Sequence, residues 1–181
     1  MLVRNSTDRW GGVAQFFHWA MFLLIVGAWF AVEQHSEYPK GSPERGEWMD
    51  LHKAIGLTVF FLLWARLGWR LSGPAPTPVI TNIWQHRAAV LVHWGLYFVM
   101  LMMPLSGLVM SQFAGREISW FGVFQIPVFV AENKDLAAQI KDLHEGVWWP
   151  LLLGLVGIHV VATLWHQFVV KDDILKRMRS F

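Results

Sequence analysis

Histidine is the residue that asks for an explanation in this chain. His18, His52, His93, His144, His159 and His166 lie in or at the ends of strongly apolar stretches. In "EWMDLHKAIGLTVFFLLWARLGWR", His52 and Lys53 stand at the head of a run long enough, with its flanks, to cross a bilayer. A polar side chain at membrane depth is costly and calls for a partner or a function. Imidazole offers two: it binds transition metals when neutral, and it carries protons. Cysteine is absent, which excludes disulfides, iron–sulfur clusters, zinc–thiolate centres and thioether-linked haem. A zinc–histidine centre is a poor fit as well, because there is no H-E-x-x-H and no three ligands converge in sequence.

The elements that must position these histidines are membrane helices. The 181 residues are 55% hydrophobic and only 15% charged, too apolar for an ordinary soluble domain. The expectation is a single membrane-embedded domain over 1–181, an all-α transmembrane four-helix bundle. A hydrocarbon core of about 30 Å needs roughly 20 apolar helical residues. Four stretches supply them, at about 13–32, 51–71, 88–113 and 147–170. Pro104 and Pro150 fall inside spans, where neighbouring groups can satisfy a freed carbonyl. Arg4 and Arg9, then Arg66, Arg70 and Arg87, then Lys171, Lys176, Arg177 and Arg179 make nine of the fifteen basic residues. They sit in the N-terminal segment, the second connector and the C-terminal tail, so the positive-inside rule puts both termini in the cytoplasm. "GPAPTP" then reads as a cytoplasmic turn. The connector from Ala114 to Leu143 lies outside, with "NKDLAAQIKDL" as a short surface helix and Trp120, Phe121 and Phe124 in the interface. No basic block suggests nucleic acid as a partner; lipid is the expected surrounding.

A rise of about 1.5 Å per residue turns numbering into depth. His18 lies near the cytoplasmic end of the first span and His159 matches it on the fourth. His52 opens the second span and His144 opens the fourth, both at the outer face. Fifteen residues separate His144 from His159, about 22 Å of helix, and the rotation returns to within about 60° of its start. One histidine pair therefore forms in each leaflet, each from two helices. Two neutral imidazoles facing each other across a bundle are what a non-covalent, bis-histidine b-type haem requires. Gly56 lies one turn after His52, and Gly154 and Gly157 precede His159; small residues let a flat ring approach a helix. The His52 face continues through Val59 and Leu63 to Arg66 and Arg70, suited to haem propionates. Lys53 offers the same at the outer end. His166, seven residues after His159, faces nearly the same way and competes with it as a ligand. His93 shares His18's depth, with His86, Tyr97, Met100 and Pro104 on its face; a packed face and a quinone or propionate role are both open.

The chain resembles the bacterial cytochrome b561 family. "QFFHWAMFLL" is similar to that family's first-span start, and "DLHKAIGL" to its second-span histidine with a glycine four residues on. "VHWGLYFVMLMMPLSG" is similar to its third-span His, Tyr and Pro-x-x-Gly pattern. "DLHEGVWWPLLLGLVGIHVVATLWHQFVVKDDIL" is similar to its fourth span. The likeness runs through nearly the whole chain in order. It implies a diheme membrane cytochrome, with His18 and His159 as ligands of the cytoplasmic haem and His52 and His144 as ligands of the outer one. The His144–His159 spacing is a residue longer than in some relatives, for which a kink at Pro150 would compensate.

The same resemblance implies quinone as a redox partner, and superoxide oxidases are among the proteins it brings in. The leading expectation is an oxidoreductase of the bacterial inner membrane that takes single electrons from periplasmic superoxide and reduces ubiquinone. Lys53 is the candidate catalytic residue, drawing in a small anion with Lys134 and Lys141, against opposing charge on Asp50, Asp135, Asp142 and Glu145. The ubiquinone site falls either to the cytoplasmic cluster of His86, His93, Arg66, Arg70 and His166 or to an outer site near Lys53 and Trp48. One alternative is a membrane anchor cytochrome linking quinone to a larger periplasmic redox protein. Another is a haem-based sensor without turnover.

Overall fold

A computed structural model describes residues 3–78, 82–172 and 174–178. Arg179, counted in the basic tail, lies outside them. Among the described residues the chain is a mostly helical bundle with four helices long and apolar enough to cross a membrane. They are α1 (Gly12–Glu37), α2 (Pro43–Leu71), α3 (Ile83–Phe113) and a fourth helix that runs without a break from Lys134 to Val170. That last helix comprises α4 (Lys134–Leu143), a π turn (His144–Trp148), α5 (Trp149–Trp165) and a second π turn (His166–Val170).

α2, α3 and α4 start where the sequence supplies a side-chain cap, whereas α1 starts after Gly11 without one. Ser42 accepts the Arg45 N–H, and Pro43 follows at the first helical position, where its missing donor costs nothing. Asn82 accepts from Trp84 and Gln85, and Asn133 from Leu136. These caps carry the helices beyond the apolar runs. At ~1.5 Å per residue the 29 residues of α2 span about 43 Å, more than the hydrocarbon core. His52 therefore does not open its helix, as expected, but lies nine residues inside it. His144 likewise follows the ten residues of α4. "NKDLAAQIKDL" is helical, yet it is the N-terminal end of the fourth long helix rather than a separate surface element.

A π turn lies between His144 and α5. Trp149 donates to the His144 carbonyl, five residues back, and the ladder changes just before Pro150, which has no N–H to give. The turn takes up one residue, so fifteen positions rotate like about fourteen and the two histidines come within about 40° of one side. The adjustment is made by this wide turn, where the sequence suggested a proline kink.

The helices pack in chain order. α1 lies closely on α2, α2 on α3, and α3 on α4 and α5, while the backbones of α1 and α5 stay farther apart. Between them the core holds Met21, Ile55, Val59, Leu63, Val99, Met100 and Leu152. Large apolar side chains such as Phe22, Leu23, Phe61, Leu153 and Val161 face outward, as they do where lipid is the solvent. At one end the N-terminal segment, the turn after α2 and the tail meet. Trp10 N–H donates to the Arg177 carbonyl (3.2 Å), and Thr77 N–H donates to that of Thr7 (2.8 Å). The Arg177 side chain donates to the Thr77 carbonyl (2.6 Å). Both termini therefore lie on one face of the bundle.

At the other end a short hairpin pairs β1 (Ile118–Trp120) with β2 (Phe124–Ile126), antiparallel. Its three-residue loop, 121–123, holds Phe121 and Gly122 at φ 49° and 74°, in the left-handed region. Trp120 donates its indole N–H to Thr58 Oγ1 of α2 at 3.0 Å. Phe121, Val123 and Phe124 at the tip are exposed.

Candidate cofactor site

The helices bring the histidines together in two sets. The rings of His52 of α2 and His144 of the π turn lie with centres 6.3 Å apart and planes at 80°. The ring centres of His18 of α1 and His159 of α5 lie 6.2 Å apart. A metal–imidazole bond of about 2.0 Å, with the ring centre about 1.1 Å beyond the nitrogen, puts two imidazoles on opposite sides of one metal about 6.2 Å apart, centre to centre. Both pairs have that separation. His93 of α3 also meets His159, but at 5.4 Å, too close to share a metal on that geometry. His166 is drawn away: its Nδ1 lies 2.5 Å from Asp172 Oδ2 in the segment after the helix. Of the two rivals on the fourth span, His159 is the one placed against His18.

The His52–His144 pair, called outer after the face expected of it, is held by its neighbours. His52 Nδ1 lies 2.8 Å from the Ala28 carbonyl of α1. A carbonyl can only accept, so the ring donates from Nδ1 and Nε2 carries the free lone pair. Ser106 of α3 gives its one hydroxyl hydrogen to the Met103 carbonyl at 2.8 Å, and its oxygen lies 2.9 Å from His144 Nδ1. That ring also donates from Nδ1 and keeps Nε2 free. Gly107 makes room for it: a Cβ there would stand 3.3 Å from His144 Cε1. Both outer histidines are thus set in the tautomer that metal ligands use, oriented by partners on neighbouring helices.

The inner set is cationic on one side. Arg66 Nη2 lies 3.4 Å from His18 Nδ1, and its Cζ stands 5.4 Å over the Tyr97 ring. Arg70 stands over Trp10, with Cζ 5.4 Å from the ring centre, and Arg66 is the one of the two expected arginines that contacts His18. The glycines divide as well. Gly56, on the His52 side of α2, faces open space, where a Cβ would meet nothing within 4 Å. Gly154 and Gly157 also face open space, but with Ile158, Val161, Ala162 and Trp165 they line an apolar groove of ≈ 520 Å³. At about 100° per residue that face is roughly opposite His159, so these two glycines do not open the helix towards the ring, contrary to expectation.

Near the outer pair, Lys53 Nζ lies 3.9 Å from Asp50. The two border a cleft of ≈ 300 Å³ whose rim adds His35, Arg45 and Arg116. Three cations therefore oppose one carboxylate. Lys134 and Lys141 are paired elsewhere, with Glu132 (3.2 Å) and Glu145 (3.0 Å). Trp48 meets Phe30 edge to face, ring centres 5.8 Å apart. Sequence reasoning passed over Ser106, Gly107, Arg45 and Arg116. The Pro-x-x-Gly signal on α3 touched one of them, but only cross-helix contact gives the others a meaning.

The residues present fit haem b: facing imidazoles at metal-bridging separation, a glycine beside open space, and an arginine next to the inner pair. A family model described as prokaryotic cytochrome b561 matches residues 9–181. The chain is 32% identical to cytochrome b561 homolog 1 of Escherichia coli (strain K12) over 173 residues, 94% of this chain and 97% of that one. It is 31% identical to cytochrome b561 homolog 2 of the same strain, over 98% and 95% of the two chains. A protein of Yersinia pestis named probable superoxide oxidase CybB is 28% identical over 89% and 90%.

Proposed function

The chain belongs to the prokaryotic cytochrome b561 family of haem-binding membrane electron-transfer proteins, and from that premise we propose that it is a superoxide:ubiquinone oxidoreductase of the bacterial inner membrane. Two haem b groups would be held non-covalently, one by His18 and His159 and one by His52 and His144. The observation that carries this reading is the equal separation of the two pairs, 6.2 and 6.3 Å. When bound, such haems supply reversible one-electron chemistry at potentials set by ligands, burial and hydrogen bonds.

The protein's own side chains do the rest. Nδ1–H bonds to Ala28 and Ser106 hold the outer imidazoles for ligation. Arg66 stands where an inner propionate would need a cation, and its fork suits a carboxylate. Lys53, Arg45 and Arg116 line the outer cleft and raise the local concentration of a small anion beside His52. Two superoxide ions each give up one electron and leave as dioxygen; ubiquinone takes both electrons and two protons and leaves as quinol. The relative named as a probable superoxide oxidase supports the choice of donor. For ubiquinone, the inner cluster of His93, Arg66 and Tyr97 is the preferred position, because Arg70 and His166 are engaged elsewhere. Basic residues gathered at the face where both termini meet support its assignment to the cytoplasm.

The test is a superoxide pulse given to the purified, oxidised, haem-loaded protein in detergent, with and without ubiquinone. The expected result is fast haem reduction, reversed by ubiquinone. Haems that ignore superoxide and accept electrons from quinol would overturn the donor assignment.

A further inference from the structure

Among the described residues, two buried side-chain polar atoms have no hydrogen-bond partner: Trp69 Nε1 and Gln167 Oε1. An unpaired buried donor is costly, on the order of 1–3 kcal/mol, and where no water can reach it the cost is not relieved. Such an atom in a folded protein calls for a group that completes it. Trp69 lies on α2 one turn past Arg66, towards the face where the termini meet. Arg66 touches His18 of the inner pair. Arg70, the neighbour expected to serve this side of the bundle, is instead stacked on Trp10.

We infer that the Trp69 indole N–H is a hydrogen-bond donor to a propionate carboxylate of the inner haem, acting beside Arg66. The chemistry selects an acceptor, because indole N–H only donates. It selects a charged one, because the group beside it must also suit a guanidinium. A carboxylate reached by both has one charge-pairing partner and one neutral donor, on adjacent turns of one helix. The donor's positive end then faces the haem and favours its reduced form. Trp69 would thus contact the inner haem directly and help set its potential relative to the outer one.

The inference rests on the assignment of His18 and His159 to one haem, and the experiment separates the two. Haem stoichiometry and a redox titration at pH 8 on the wild-type protein come first; fewer than two haems would sink the ligand assignment itself. Trp69→Phe is then compared with 3-benzothienylalanine at position 69, which keeps the ring shape and lacks the N–H, so that a folding defect in the first leaves the second to decide. The expected result is two retained haems, a lowered midpoint for one, an unchanged midpoint for the other, and a shifted propionate band in the resonance Raman spectrum. Unchanged midpoints and an unchanged band would overturn it. So would an altered KM for ubiquinone with both midpoints intact, which would give the N–H to a quinone carbonyl.

Discussion

Ser106 and His144 meet across two helices, the hydroxyl oxygen 2.9 Å from Nδ1 of the ring. The hydroxyl hydrogen is spent on Met103, so the ring must donate, and its other nitrogen is left as a ligand. Such outer partners commonly contribute a factor of about 10–100 to metal affinity. Ser106→Ala is expected to weaken the outer haem by that order and leave the inner one in place. Haem titration into the apoprotein, followed through the two sets of absorption bands, measures it. Equal weakening of both haems would remove the special role of this contact.

The pairing of histidines across helices makes a sharper prediction. His52→Ala and His144→Ala should each lose one haem, the same one, and His18→Ala and His159→Ala should each lose the other. His166→Ala should keep both, because that ring is bound to Asp172. Pyridine haemochrome content per protein and the surviving redox midpoint distinguish the two sets. A His52 variant that retains two haems would show the pairing to be wrong.

Gly56 faces open space one turn from His52 on the same side of its helix. If that space receives a flat ring, Gly56→Leu fills it and the outer haem is lost, while Gly154→Leu, on the far side of α5, leaves haem content unchanged. The contrast between the two variants is the measurement, and equal haem loss from both would contradict it.

Lys53, Arg45 and Arg116 surround the outer cleft against the single carboxylate of Asp50. Lys53→Glu is expected to slow haem reduction by superoxide about tenfold at low ionic strength, with much less effect on a neutral reductant. Added salt should narrow the difference, since charges more than about 8 Å apart are largely screened at physiological ionic strength. Stopped-flow reduction at two salt concentrations reads both effects, and equal slowing of neutral and anionic donors would end the steering role.

Trp120 fastens the hairpin to α2 through Thr58. Trp120→Phe removes one hydrogen bond of about 1 kcal/mol. Its expected signature is a lower thermal unfolding midpoint with both haem midpoints unaltered, measured by circular dichroism and redox titration on one preparation.

Several features were legible in the residues alone. Four apolar runs set four spans, and the numbering of His18, His52, His144 and His159 set their depths, because helix rise is a local constant. Arginine distribution put the termini on one side, and in the structure Trp10 and Arg177 meet there. These properties depend only on the chain's own periodicity and length. What only the tertiary structure decided is everything set by rotation about a helix axis. α5 is apolar nearly all round, so its sequence cannot say which face turns inward; folding turns His159 towards His18 and Gly154 away. The free nitrogen of each outer histidine is chosen by a partner on another helix, Ala28 for His52 and Ser106 for His144. His166 is paired with Asp172, beyond the end of the helix, while the His159 ring lies near that of His18. The extra residue before Pro150 is absorbed in a π turn, because a proline without an N–H breaks the regular ladder there. Depth is a one-dimensional property and can be read along the chain, whereas ligation depends on which surfaces face each other, and helices acquire facing surfaces only when they pack.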